Sequence, residues 1–98
     1  LRYLHDLVEK SPKPVIVAAD FNTFWGTHEL YLFMRASGLR SANVRELATY
    51  PAGSPRAELD FILVSERIRV TDFSVPDIRL SDHRPLICDF TVDGDPAS

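Results

Sequence analysis

Cysteine is almost missing from this 98-residue sequence, with Cys88 its single instance. That excludes an internal disulfide and any cysteine-built metal cluster. Cys88 lies in the apolar run Leu86-Ile87-Cys88, where a small core residue is expected rather than a nucleophile. Long hydrophobic runs are missing as well: no apolar stretch approaches the ~20 residues that a membrane-crossing helix needs. Nor is there an excess of positive charge. Eleven Lys and Arg stand against 14 Asp and Glu, a net charge of -3, without the basic stripe that tracks a nucleic-acid backbone. Internal repeats and low-complexity segments are also lacking. What is present is an ordinary globular composition, 45% hydrophobic and 26% charged, in a length that accommodates one domain at most.

Leu4, Leu7 and Val8 follow helical spacing, so residues 1–10 read as an amphipathic helix already under way at the first residue. A helix entered midway implies a chain cut from something longer. Pro12 and Pro14 stop it, because proline cannot donate the helical hydrogen bond and restricts its predecessor. Val15-Ile16-Val17-Ala18-Ala19 is short, apolar and rich in β-branched residues, as in a strand buried on both faces. Gly26 and Thr27 open a second helix whose buried stripe is Leu30, Phe33 and Met34, and Gly38 ends it. From Ser41 to Arg56 the periodicity dissolves into turn chemistry, above all in Tyr50-Pro51-Ala52-Gly53-Ser54-Pro55-Arg56. Three strands are expected after it: residues 59–64, a weaker and more peripheral one over 68–75, and 86–92. The order helix, strand, helix, loop and three strands predicts an α/β (α+β) chain with one mixed β-sheet and its helices on one face. Residues 93–98 read as a flexible tail.

Three segments place acid or imidazole groups beside apolar strands: Asp20-Phe21-Asn22, Leu59-Asp60-Phe61 and Asp82-His83. Asp60 is the most informative. A carboxylate within an otherwise apolar strand is costly unless paired or hydrogen-bonded, and His83 is its candidate partner. Such a carboxylate fixes the imidazole tautomer and favours its protonated form. Each segment also has a purely structural reading. Asp20 and Asn22 suit a turn, Asp82 suits a loop cap before Pro85, and Asp60 with His83 makes a satisfied pair. A serine triad is excluded by order, since Ser81, Asp82 and His83 are neighbours that cannot align as nucleophile, base and carboxylate.

Taken together, these segments resemble a known family. Ala19-Asp20-Phe21-Asn22 resembles the Gly-Asp-Phe-Asn motif of the endonuclease/exonuclease/phosphatase family. Leu59-Asp60-Phe61-Ile62-Leu63-Val64-Ser65 is similar to its Asp-containing strand, and Ser81-Asp82-His83-Arg84-Pro85-Leu86 to its closing Ser-Asp-His-x-Pro motif. The resemblance runs from Pro14 to about Val92. It implies that Asp20 orients and deprotonates the attacking water, and that Asn22 helps to hold that water and the phosphate oxygens. His83 would donate to a non-bridging phosphate oxygen, Asp60 would orient His83, and Asp82 would sit at or near a divalent metal, Mg²⁺ or Mn²⁺. In-line positioning and charge neutralisation are what phosphoryl transfer requires.

The resemblance further implies half of a DNase I-like four-layer αββα sandwich, with residues 1–92 as its C-terminal portion. The principal carboxylate ligand of the metal would then come from a missing N-terminal half, and this half alone would be inactive. Its bare inner face would be covered by that half or by a second copy of the chain. The substrate would be a phosphate ester: nucleic acid, a phosphoinositide or a phospholipid head group. Loop 41–57 is expected near the site, where Tyr50 and Arg56 would stack on a base or grip a phosphate, with surface packing as the alternative for both. A non-catalytic binding or assembly module on the same scaffold is the competing expectation.

Overall fold

In the computed structural model, which describes residues 2–20 and 26–93, the elements follow the expected order. Helix α1 (Arg2–Lys10) leads to strand β1 (Ile16–Asp20), helix α2 (Gly26–Ser37) and the short strand β2 (Arg40–Ser41). Strands β3 (Asp60–Val64), β4 (Ile68–Ser74) and β5 (Ile87–Val92) complete the chain. Gly38 ends α2 with a φ of 77°, a left-handed conformation open to glycine without a Cβ penalty. Its N–H donates to the Met34 carbonyl at 3.0 Å, which closes the last turn.

Strand β3 is the centre. It pairs antiparallel with β1 on one edge and with β2 on the other. Because strand side chains alternate between faces, β3 divides the interior in two. Phe61 and Leu63 pack with Val15, Val17, Leu4, Val8, Leu30 and Phe33 beneath the helices. Ile62 and Val64 face the other way, against Ala42, Ile68, Val70, Phe73, Leu86 and Cys88. Leu63 and Val64 are both wholly buried, as expected for a strand covered on its two faces.

The α/β class holds, but the single mixed sheet does not. The strands form two antiparallel sheets, β1-β3-β2 and β4-β5. The β4-β5 pair does not extend the β1-β3-β2 sheet and instead packs as a ribbon across the second face of β3. The register shift between Val70 and Asp72 bends that ribbon, as a bulge does. It covers Ile62 and Val64 but not β1, whose Ile16 and Ala18 stay exposed. The expectation of a β1 buried on both faces is thereby corrected: within the strand only Val17, on the helix side, is partly covered. At the far end, Asp93 is tied down by donating its N–H to the Arg67 carbonyl. Residues 94–98 of the expected tail lie outside the described residues.

The aperiodic stretch between β2 and β3 is ordered by side-chain-to-backbone bonds. Buried Asn43 donates from Nδ2 to the Leu47 carbonyl and to Glu58 Oε2, and accepts the Leu47 N–H at Oδ1. Tyr50 and Ala57 then form an isolated antiparallel bridge around the turn in which the Ser54 N–H donates to the Pro51 carbonyl. Burial, with help from Glu46 and against the Asn43 hydrogen bond, pushes the Glu58 carboxyl up to about 7.

Two outcomes are expected. Leu63→Ala, which opens a void at the centre of the helix-side core, is expected to lower stability by about 3 kcal/mol in urea unfolding. Glu58 acts on the pH profile. Its folded value lies above the ordinary 4.5, so the folded state holds more protons between the two values and stability falls as pH rises through that window. Glu58→Gln, whose amide oxygen still serves Asn43, is expected to match the parent near pH 4.5. Near pH ~8 it is expected to exceed the parent by roughly 1 kcal/mol or less, since the group is partly solvated.

Candidate active site

Antiparallel pairing brings the C-terminal end of β1 against the start of β3, and the register sets Asp20 directly opposite Asp60. Residues paired in this way share a face. Asp60 has the same parity as Ile62 and Val64, so both carboxylates stand on the face away from the helices. Two like charges across one pair of strands repel. Between them the turn after residue 80 delivers His83. Its Nδ1–H donates to Asp60 Oδ2 at 2.6 Å, and its Nε2 lies 3.8 Å from Asp20 Oδ2.

The two carboxylates play different parts. The Asp60 side chain is 20% exposed and closes a short, charge-assisted hydrogen bond. The Asp20 side chain is 49% exposed and within reach of solvent. An ionised carboxylate can only accept, so the proton of the 2.6 Å bond belongs to Nδ1, and Nε2 carries the ring's second proton when it is charged. The Asp60 hydrogen bond raises His83 above its ordinary value of 6.5; desolvation opposes this, while the charges of Asp60, Asp20 and Asp82 add to it.

The turn carrying His83 is sutured to the segment that precedes β3. The Arg84 N–H donates to the Thr49 carbonyl at 2.7 Å, and the Ala52 N–H donates to the Asp82 carbonyl at 2.7 Å. The Arg84 guanidinium donates from Nε to the Ala52 carbonyl at 2.7 Å and pairs through Nη2 with Asp77 Oδ1 at 3.2 Å. The Tyr50 ring thereby comes to lie 4.9 Å from the His83 ring, tilted by 49°. Beside Asp60 opens a groove of about 270 Å³, lined chiefly by Ala18, Ile62, Arg84, Pro85 and Leu86.

The structure thus gathers Asp20, Asp60, His83 and Tyr50. Arg56 is exposed on the Tyr50–Ala57 bridge, where its N–H donates to the Tyr50 carbonyl; it takes no part in the cluster. Asn22 lies outside the described residues. Asp82 is exposed and reaches His83 by charge alone. Sequence reasoning passed over Thr49, a position that carries no periodic or motif signal.

Among the described residues, Asp20, Asp60 and His83 each offer one ligand atom within 4.8 Å of the others, a grouping that could hold a metal ion. The donor set fits a hard cation only in part. His83 Nδ1 is engaged by Asp60, which leaves Nε2 as the ring's one ligand atom. Mg²⁺ favours carboxylates, waters and phosphate oxygens, so the oxygens of Asp20 and of exposed Asp82 are the groups that suit it.

The family model described as Endonuclease/Exonuclease/phosphatase family matches residues 1–83. Comparisons with the curated proteins and with the solved structures give no match.

Titration of the His83 ring followed by NMR is expected to give a midpoint above 6.5, and Asp60→Asn is expected to bring it down. The direction also sets the linkage. A raised histidine contributes stability that is complete below the unfolded value and is lost as pH rises through the folded one.

Proposed function

Since the chain belongs to the endonuclease/exonuclease/phosphatase family, whose members are typically hydrolytic enzymes, we propose that it supplies the base and the imidazolium of a metal-dependent phosphoesterase. The observation that carries this reading is a histidine held between two unlike carboxylates, one half-buried and tightly hydrogen-bonded, the other half-exposed. Asp20 takes a proton from the attacking water, for which an ionised and solvent-reachable carboxylate is suited. His83 donates from Nε2 to a phosphoryl oxygen as charge builds there, the electrostatic support that this reaction class needs most. Asp60 keeps the ring in the tautomer that presents Nε2 and stabilises its charge. The family motif adds Asn22 to the water and phosphate oxygens.

A divalent cation, Mg²⁺ or Mn²⁺, held by Asp82 and Asp20 with a main carboxylate from outside this chain, would supply charge neutralisation at the phosphate. Tyr50, beside His83, is placed to stack on the substrate's leaving portion, with exposed Arg56 as a second contact. A nucleic acid, a phosphoinositide and a phospholipid head group all offer the required ester. Exposed Ile16 on β1 and exposed Phe90 and Val92, which share a face of β5 with Cys88, support a covering layer, from another part of the same protein or a second copy.

The test is hydrolysis of bis-p-nitrophenyl phosphate by the full-length protein with Mg²⁺ or Mn²⁺. Asp20→Asn and His83→Ala are each expected to lower kcat by roughly 10²–10⁴-fold, the usual weight of a general acid or base. Metal-dependent turnover that survives both substitutions would exclude this assignment of roles.

A further inference from the structure

The Asp60–His83 bond joins residues 23 apart in sequence, and its length leaves little room for error. Asp60 is the first residue of β3, where ladder support begins, and His83 rides on an irregular turn. Something has to fix each against the other. Thr49 touches both. Its side chain is wholly buried, and its Oγ1 accepts the N–H of Leu59 at 3.1 Å and of Asp60 at 3.3 Å. Two acceptances use both lone pairs of the hydroxyl oxygen. The Thr49 carbonyl accepts the N–H of Arg84, the residue after His83, at 2.7 Å. Its own N–H donates to the Ala57 carbonyl at 2.9 Å, which anchors it to the second strand of the bridge. The next residue is Tyr50, whose ring lies against His83.

We infer that Thr49 is a positioning residue for this site: its hydroxyl sets the backbone of Asp60, its carbonyl sets the turn of His83, and the 2.6 Å bond between their side chains depends on that common anchor. The inference rests on the site proposed above for its catalytic meaning, but its geometric content stands apart from it. A strand start that loses two N–H acceptances moves toward other partners. A shift of about 1 Å at a reacting group can cost on the order of 10²-fold in rate. Valine has nearly the shape of threonine without the oxygen, whereas serine keeps the oxygen and loses only the methyl, so the pair separates bonding from packing.

The experiment compares the full-length protein with Thr49→Val and Thr49→Ser at one fixed pH. The first readout is the far-downfield NMR resonance of the His83 Nδ1–H, a mark of a short charge-assisted bond, identified by its loss in Asp60→Asn. It is expected to persist in Thr49→Ser and to vanish or move upfield in Thr49→Val while the remaining amide spectrum stays dispersed. The second is kinetic: kcat on bis-p-nitrophenyl phosphate falling roughly 10- to 100-fold in Thr49→Val with KM nearly unchanged, and recovering in Thr49→Ser. A Thr49→Val protein with the resonance and kcat of the parent would overturn the inference. So would a Thr49→Ser protein that loses the resonance, an outcome that decides the matter even where Thr49→Val does not fold. Absence of hydrolysis by the parent itself would remove the phosphoesterase reading and leave the resonance to judge Thr49.

Discussion

Two carboxylates set opposite each other at one end of an antiparallel pair are an electrostatic debt, and a single imidazole between Asp20 and Asp60 settles it. Much of the molecule's irregular structure serves that one arrangement. The register of β1 on β3 fixes where the charges stand. The sutures between residues 49–52 and 82–84 fix where the histidine stands. Without Asp60, the ring would lose the hydrogen bond that raises its affinity for a proton. The ring in turn joins the two strand ends through its two nitrogens, and this mutual dependence distinguishes the cluster from three polar residues that happen to be near.

Much of this was legible in the amino-acid order, for identifiable reasons. Asp60 stood out because a charge beside Phe61-Ile62-Leu63-Val64 demands a partner, and His83 was at hand with its own motif. The helices were legible from the Leu30–Phe33 spacing and from Gly38, whose left-handed φ bears out the stop. What escaped was everything whose signal lies across space rather than along the chain. Thr49 looks like any loop threonine until the Asp60 amide is seen on its hydroxyl. Asn43 looks like a turn residue, yet it is buried and organises the chain on both sides of it. The partition into two sheets escaped for a similar reason. Nothing local states that β4 and β5 pair with each other and pack across β3 rather than beside β1 or β2.

The two interiors on either side of β3 also differ in character. The helix side is a continuous apolar cluster around Leu63 and Phe33. The other side grades from the Val64–Ile68 cluster, through half-buried Ile62, to the acids at the strand's end. A single strand thus runs from a carboxylate at its first residue to two wholly buried residues at its end. The groove beside Asp60 lies where these regimes meet, apolar along its floor and ionic at one end, a combination suited to a ligand with a charged group and a hydrophobic remainder.

The division of faces by β3 bears on how such a protein can diverge over generations. Exposed helix positions such as Tyr31, Leu32 and Arg35 are screened from the acids by a full layer of strand and core. They form a neutral territory where drift accumulates without taxing the chemistry, and where a new tether, recognition patch or label can be grafted. The residues around 49–52 and 82–84 have no such freedom, since each bond there is shared with the site. Variation in a lineage of these chains is accordingly expected to be lopsided, generous on the helical flank and sparse along the sutured turns.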